Sequence, residues 1–435
     1  MANTDQNVLD FFEFIKSSPT AFHASESVAR KLDSEGFTRL SLCDSLSLTA
    51  GGKYYILKNS SSIIAFILPS AATPPVSYSI CASHSDSPTF KLKDNFELDA
   101  FGKYTKLDTE RYGGPIFSSW FDRPLSVAGR VVYDCGNSCE SALVMSDDDL
   151  LLIPNLAIHM NRSINDGYAY NLQVDTLPLY GSGDCKGSLL KALTEKSECI
   201  LSHDLYLYCR EKGILWGANR EFISAPRIDN LECAYTTLCG FIASEENKGV
   251  KIYAMFDNEE TGSLTKQGAD SSFLSDVISL INYSMGGDEA SLRRALANSF
   301  MVSADNAHAK HPNHPEYADP VNAPNMNEGI VIKFNASQRY TSDAMSASFI
   351  KLICKRANVP YQTYANRSDI PGGSTLGAIA DSHVSVATAD IGLAQLAMHS
   401  AYETAGALDV NYMIKFAKEF FSASISFTDT TITVE

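Results

Sequence analysis

The run VKIYAMFDNEETG, residues 250–262, decides how this chain is read: a strand-length segment, Val250 to Phe256, stops abruptly at Asp257-Asn258-Glu259-Glu260. Runs of that length and apolarity fit strands buried within a sheet. Two others end in the same way. VSYSICAS (76–83) gives way to His84-Ser85-Asp86, and SFMVSA (299–304) to Asp305-Asn306-Ala307-His308. Ligands of open α/β sheets bind at the carboxyl ends of the strands, so one sheet holding all three runs would bring these endings into one site.

Helical patterns lie around these runs. Leu231, Ala234, Leu238 and Ile242 recur at spacings of three and four, as do Met413, Phe416, Ala417 and Phe420, which marks core-facing stripes. Further short strands are expected at GIVIKF (329–334), YQTYA (361–365) and VSVATA (384–389). The class is α/β, a mixed sheet between helices. Residues 93–226 differ, with short β-like runs (SVAGRVVYD, SALVMSD, LLLIPNLAI) between Gly, Pro, Asn and Asp turns. They are expected to form a β-rich domain inserted into the first, which would comprise residues 1–92 and 227–435, because candidate site residues lie on both sides. PSAATPP (69–75) is expected to be a loop between two strands.

The 435 residues carry 35 Lys and Arg against 51 Asp and Glu, a net charge of −16 with no arginine-rich block, so nucleic acid and anionic membranes are poor partners. The first 18 residues hold acids where a secretion signal needs basic residues, and no apolar run is long enough to span a bilayer. The ten cysteines include no CxxC pair. They read as reduced thiols, and a cytoplasmic location is expected. Cys135 and Cys139 lack a second pair to complete a zinc site.

Adjacent buried carboxylates such as Glu259 and Glu260 cost several kcal/mol without a cation, which a divalent metal would resolve. Read locally, the tetrapeptide also fits a solvated acidic turn. Under the metal reading one glutamate ligates while its neighbour takes a proton from water made acidic by the ion. His84 offers a ligand nitrogen and Asp86 a carboxylate to orient it. Asp229 in PRIDN, Asp305, and His399 in AMHS extend the set. Two histidines and three carboxylates suit two Zn²⁺ ions sharing a carboxylate, roughly 3.5–4 Å apart, with Co²⁺ or Mn²⁺ as alternatives.

Seven segments together resemble the M18 metallo-aminopeptidases, the aspartyl aminopeptidase group: CASHSDSPTFKLK (81–93), EFISAPRIDNL (221–231), MFDNEETGS (255–263), ADNAHAKHPNHPEYADP (304–320), GIVIKFNASQRYTSDA (329–344), DIPGGSTLG (369–377) and LAMHS (396–400). The resemblance implies an α/β/α metallopeptidase domain with an inserted β-rich domain. It implies that Asp229 bridges two metals, with His84 and Asp305 completing one and Glu260 and His399 the other. Glu259 becomes the general base and acid, and Asp86 the carboxylate behind His84. The implied reaction removes the N-terminal residue from a peptide. His308 is implied as a substrate contact, Lys333 and Tyr340 as the lining of the specificity pocket, and Gly372 and Gly373, with Ser374, as the loop for the amine end. His159 is implied to reach a neighbouring subunit's site within a tetrahedral shell of twelve.

His311 and His314, beside Pro312 and Pro315, are expected to be structural loop residues, and His23 and His203 surface or satisfied core residues. After LAMHS the aspartyl aminopeptidases usually carry a basic residue and an acid, whereas this chain reads Ala401-Tyr402-Glu403-Thr404. That departure bears on whether acidic N-termini are preferred or a broader neutral specificity holds. A catalytically silent shell and a deacylase of small acylated amino acids complete the alternatives.

Overall fold

In the computed structural model, the three runs are neighbouring strands of one sheet; the structure describes residues 2–45, 47–71, 73–428 and 430–435, the first three of them by backbone alone. Tyr78–His84 lies parallel to Val250–Phe256 on one side and to Phe300–Ala304 on the other, and every residue of the three strands is buried. Burial on both faces explains their near-continuous apolar character. Their carboxyl ends coincide, which places His84, Asp257 and Asp305 along one edge.

The nine-stranded sheet extends through Ser62–Ile67, Lys53–Lys58 and Thr38–Leu40 beyond Val250–Phe256. On the other side it extends through Ala387–Gly392, Ile330–Phe334 and Tyr361–Ala365. It is mixed, since Ser62–Ile67 and Ile330–Phe334 run antiparallel to their inner neighbours. One face is covered by helices Ala2–Lys16, Ala21–Ser34, Ile228–Ile242, Ala344–Ala357 and Ala407–Ser422, packed through Phe11, Leu238, Met413 and Phe416. The other face is covered by Phe273–Ser284, Glu289–Ala297 and Leu376–Val384 through Val277, Ile281, Leu292 and Ala380. The helical stripes read in the sequence are these core faces.

A separate six-stranded antiparallel sheet has the order Cys139–Met145, Leu125–Asp134, Ile200–Cys209, Thr89–Ala100, Tyr104–Tyr112, Leu179–Ser182. It has its own core around Phe90, Leu107, Val127 and Leu205. The segment 93–226 contains five of its strands whole, and Thr89–Ala100 straddles the start. A five-stranded sheet joins Ile214–Trp216 and Phe222–Ala225 to Glu403–Gly406, Ala394–Leu396 and Ala307–His308.

Two sequence expectations need correction. The strand expected at 384–389 begins at Ala387 instead, because helix Leu376–Val384 continues to Val384 and ends on Ser385 in the left-handed conformation (φ 51°). The run at 150–158 forms only isolated bridges at Leu151–Ile153; Pro154, which follows, has no amide to donate to a ladder. Ala72, within the loop expected at 69–75, lies outside the described residues. All ten cysteines are free, and none belongs to a group of three potential metal ligands among the described residues. No described helix is long and apolar enough to cross a membrane.

Candidate metal centre

Five sequence-distant segments meet beyond the carboxyl edge of the central strands. Strand Tyr78–His84 ends in His84, helix Ile228–Ile242 carries Asp229 in its first turn, and the turn Glu259–Thr261 follows Val250–Phe256. Asp305 follows Phe300–Ala304. His399 comes from the connection between Ala394–Leu396 and Glu403–Gly406.

Asp229 faces two ways. Its Oδ1 lies 3.5 Å from His84 Nε2, while its Oδ2 lies 3.6 Å from His399 Nε2. His84 Nε2 is also 3.7 Å from Asp305 Oδ1, and His399 Nε2 is 3.4 Å from Glu260 Oε2. Donors about 2.1 Å from a tetrahedral ion stand about 3.4 Å apart, close to these separations. Both histidines have their Nδ1 against a carbonyl, His84 on Asp86 O and His399 on Gly114 O, each at 3.1 Å. A carbonyl only accepts, so each Nδ1 carries the proton and, in the neutral ring, Nε2 presents a lone pair toward carboxylate oxygens. Asp229 Oδ1 and Glu260 Oε1 are buried without hydrogen-bond partners. Lone pairs facing lone pairs, with orphaned buried oxygens between them, require a cation or extra protons. This donor set, nitrogen and oxygen with no sulfur, fits zinc.

The electrostatics of the bare protein agree. Burial opposes charge on His84, yet its contacts with Asp229, Asp305 and Asp86 hold its pKa well above the ordinary value. Burial, helped by Asp229, pushes Glu260 well up. Burial also pushes Glu259 up to about 8, against the opposing pull of His84. Asp305 is held below the usual range despite its burial, chiefly by the Lys333 ammonium and then by His84.

Two buried carboxylates stand behind this group. Asp86 accepts the Glu259 and Glu260 amides, both at 3.2 Å, and its Oδ1 is 3.4 Å from His84 Nδ1. Glu403 accepts the His399 amide at 2.8 Å and the Asp229 amide at 3.0 Å. Glu403 therefore holds the backbone of two candidate donors from behind and Asp86 that of Glu260 and its neighbour Glu259, and neither lines the cleft.

The cleft itself has a volume of about 310 Å³ and is lined by the five donor residues together with Glu259, His308, Lys333, Tyr340 and Gly373. Lys333 is buried, with Nζ donating to Asn306 O (2.8 Å), 3.9 Å from Asp305 Oδ2 and over the Tyr340 ring. Walls around His308 and the nearby Lys333 charge lower its pKa. Gly372 lines only a neighbouring cavity of about 340 Å³, with His311 and His314. His159 is exposed on a turn and does not line the cleft. His23 is satisfied by Thr20 Oγ1 at 2.9 Å, and His203 packs edge-on against Phe96.

A family model described as Aminopeptidase I zinc metalloprotease (M18) matches residues 14–421. The chain belongs to the M18 family of metallo-aminopeptidases. The Clostridium novyi protein named "Probable M18 family aminopeptidase 2" is 44% identical over 432 residues, spanning 97% of this chain and 100% of its own length. A Pseudomonas aeruginosa protein of the same name is 37% identical over 433 residues, spanning 97% and 99%. Among solved structures, a complex of Ape4 with Nbr1 superposes with TM-score 0.93 at 35% identity, covering 97% of this chain and 86% of that one. The S. cerevisiae mApe1 dodecamer gives 0.84 at 27% identity, covering 97% of each. This M18 chain is thus a metallo-hydrolase, and zinc is its family's metal.

Of the carboxylates behind the donors, the sequence shows Asp86 but neither Glu403 nor Asp390. Glu403 reads in the sequence only as part of the 401–404 departure; its place four residues after His399 is the signal that could have found it. Asp390, fully buried, accepts Thr341 N and Oγ1 and Thr375 Oγ1, fastening the two loops that carry Tyr340 and Gly373. Tyr402, expected to bear on substrate preference, does not line the cleft: its hydroxyl donates to Lys212 O and Arg123 lies over its ring.

Proposed function

We propose that this M18 protein is a dinuclear zinc aminopeptidase, with Asp229 bridging, His84 and Asp305 completing one ion, and Glu260 and His399 the other. The observation that carries this reading is the pair of Asp229 oxygens, each turned to a different histidine whose Nε2 also faces a second carboxylate. Zinc held there supplies Lewis acidity toward the scissile carbonyl and raises the acidity of water. Glu259, on the cleft wall, takes the proton from the attacking water and returns it to the departing amine. His308 donates to the carbonyl oxygen as charge develops on it.

Lys333, the lysine or arginine found in the cleft lining among the described residues, supports a preference for acidic N-terminal side chains, with Tyr340 beside it and Gly373 near the amine end. Its Nζ is already engaged by Asn306 O and Asp305, and this favours the broader specificity as the second reading. Aspartyl, glutamyl, leucyl and lysyl anilides separate the two: faster turnover of the leucyl or lysyl substrate ends the acidic reading. No turnover of any, with zinc bound, points to a silent shell, and turnover of N-acyl amino acids alone points to a deacylase.

The chain is further proposed to divide into a catalytic domain (1–92 and 227–435) and an inserted domain (93–226), to be cytoplasmic, and to assemble as a tetrahedral dodecamer. The relative solved as a dodecamer supports the assembly. So do exposed Leu156, Ile158 and Met160, which flank His159, since apolar patches mark interaction sites. His159 then belongs to a neighbouring subunit's site.

A further inference from the structure

Where strand Tyr104–Tyr112 of the six-stranded sheet leads into the short helix Phe117–Trp120, four residues, Tyr112, Gly113, Gly114 and Ile116, touch both sides of the candidate metal centre. The Tyr112 hydroxyl donates to Asp86 Oδ2 at 2.6 Å and accepts from Asn258 Nδ2 at 2.8 Å. Asp86 is the acceptor for the amides of Glu259 and Glu260. Gly113, at φ 68°, passes so close that a Cβ there would lie 3.1 Å from Glu260 Cβ. The Gly114 carbonyl accepts Nδ1–H of His399, and the Ile116 amide donates to the His399 carbonyl at 2.9 Å. The Glu259–Glu260 turn and the His399 loop, which share no strand or helix, are thereby referenced to one short stretch of the other sheet.

We propose that Tyr112–Ile116 is a positioning strap for the zinc centre, in which Tyr112 sets Asp86 and so both glutamates, while Gly114 fixes the His399 tautomer that leaves Nε2 free for metal. Tyr112 is a positioning residue and touches no substrate. Burial, then the charges of Asp86 and Asp257, push the Tyr112 phenol far up, so its hydroxyl remains a donor at every working pH. The geometry also accounts for Gly113: any side chain would combine a left-handed backbone with a tight contact against Glu260 that must give by a few tenths of an ångström. Through the strap, displacement of the six-stranded sheet relative to the nine-stranded one disturbs the metal donors.

The inference rests on the zinc reading above, and the test separates the two. Zinc per chain and zinc affinity, by competition with a chelator, are measured for the wild type and Tyr112→Phe, together with kcat and KM on one aminoacyl anilide. The phenylalanine keeps the edge-on ring contact with Tyr206 and removes only the hydroxyl. Outer partners of metal ligands are worth about 10–100-fold in affinity or activity. The expected result is zinc affinity reduced about tenfold or more and kcat reduced by a similar factor at saturating zinc, with KM within about twofold. Should Tyr112→Phe fail to fold, Gly113→Ala carries the same readouts with the same expected direction. A wild type that holds no zinc overturns the zinc reading and the strap with it. A zinc-loaded wild type and a variant with unchanged zinc affinity and kcat overturn the strap alone, and so does a variant with a lower Tm but wild-type zinc affinity.

Discussion

Asp229 is fixed by its backbone and points its carboxylate both ways: the amide donates to Glu403 and the carbonyl accepts Ser87 Oγ at 2.7 Å, while Oδ1 and Oδ2 face the two histidines. Glu259 is different, since its carboxylate lies farther from its one histidine contact, 4.0 Å from His84 Nε2. That spacing leaves it available for proton transfer. Glu259→Gln keeps the shape and removes the basicity, so hydrolysis should fall by about 10²–10⁴-fold while zinc per chain is unchanged in elemental analysis. Loss of zinc along with activity would make Glu259 a ligand instead. His84, Asp305 and Glu259–Glu260 were legible in the sequence because each ends a buried apolar run. Tyr112 was not, because Arg-Tyr-Gly-Gly-Pro reads only as a turn; its partners, Asp86 and Asn258, are supplied by distant parts of the chain.

At the scale of elements, the three central strands and helix Ile228–Ile242 position the centre together. The helix packs along Ala407–Ser422, with Gly240 at the closest approach: a Cβ there would stand 2.4 Å from Ala417 Cβ and 2.7 Å from Lys418 N. Gly240→Ala should cost about 1–3 kcal/mol by overpacking, read as a lower urea midpoint with unchanged m. A midpoint equal to the wild type's would show that the helices separate freely. Because Asp229 lies in the first turn of this helix, movement at the crossing would reach the proposed metal donors. The strands around the site were legible from burial on both faces, which leaves an uninterrupted apolar signal. The strand at 387–392 was misplaced by three residues because Val384, closing a helix, and Val386, preceding the strand, carry the same β-branched signature.

Over the whole molecule, the described structure buries many more carboxylates than cations can answer. Burial raises Glu232 and Glu259 to about 8 and Asp257 and Asp409 to about 7. A carboxyl whose folded pKa exceeds its unfolded value binds its proton more tightly when folded. Its stabilisation is complete below the unfolded value and is lost as pH rises through the folded one. The zinc-free protein should therefore lose thermal stability between about pH 5 and pH 8.5. Zinc held in the proposed site would compensate the charge at Glu259 and its neighbours, and protons would compete with it for those residues, so the Tm gap between loaded and stripped protein should widen with pH. A gap constant from about pH 6 to 9 in paired melting curves would contradict that account of the site.

The hydrogen bond from Ser87 Oγ to the Asp229 carbonyl joins the point where the chain leaves the central sheet to the start of the helix by which it returns. A long excursion whose ends already touch leaves little distance for a linker to span, so the intervening residues are topologically a detachable module. The strap gives that module a hold on the metal donors as well. Replacing residues 88–227 with a short turn would preserve the connectivity of the large sheet and the five donors, yet it would also remove Tyr112 and Gly114. It would also take Ile214–Trp216 and Phe222–Ala225 from the five-stranded sheet, so the module can be spared in the wiring of the large sheet alone.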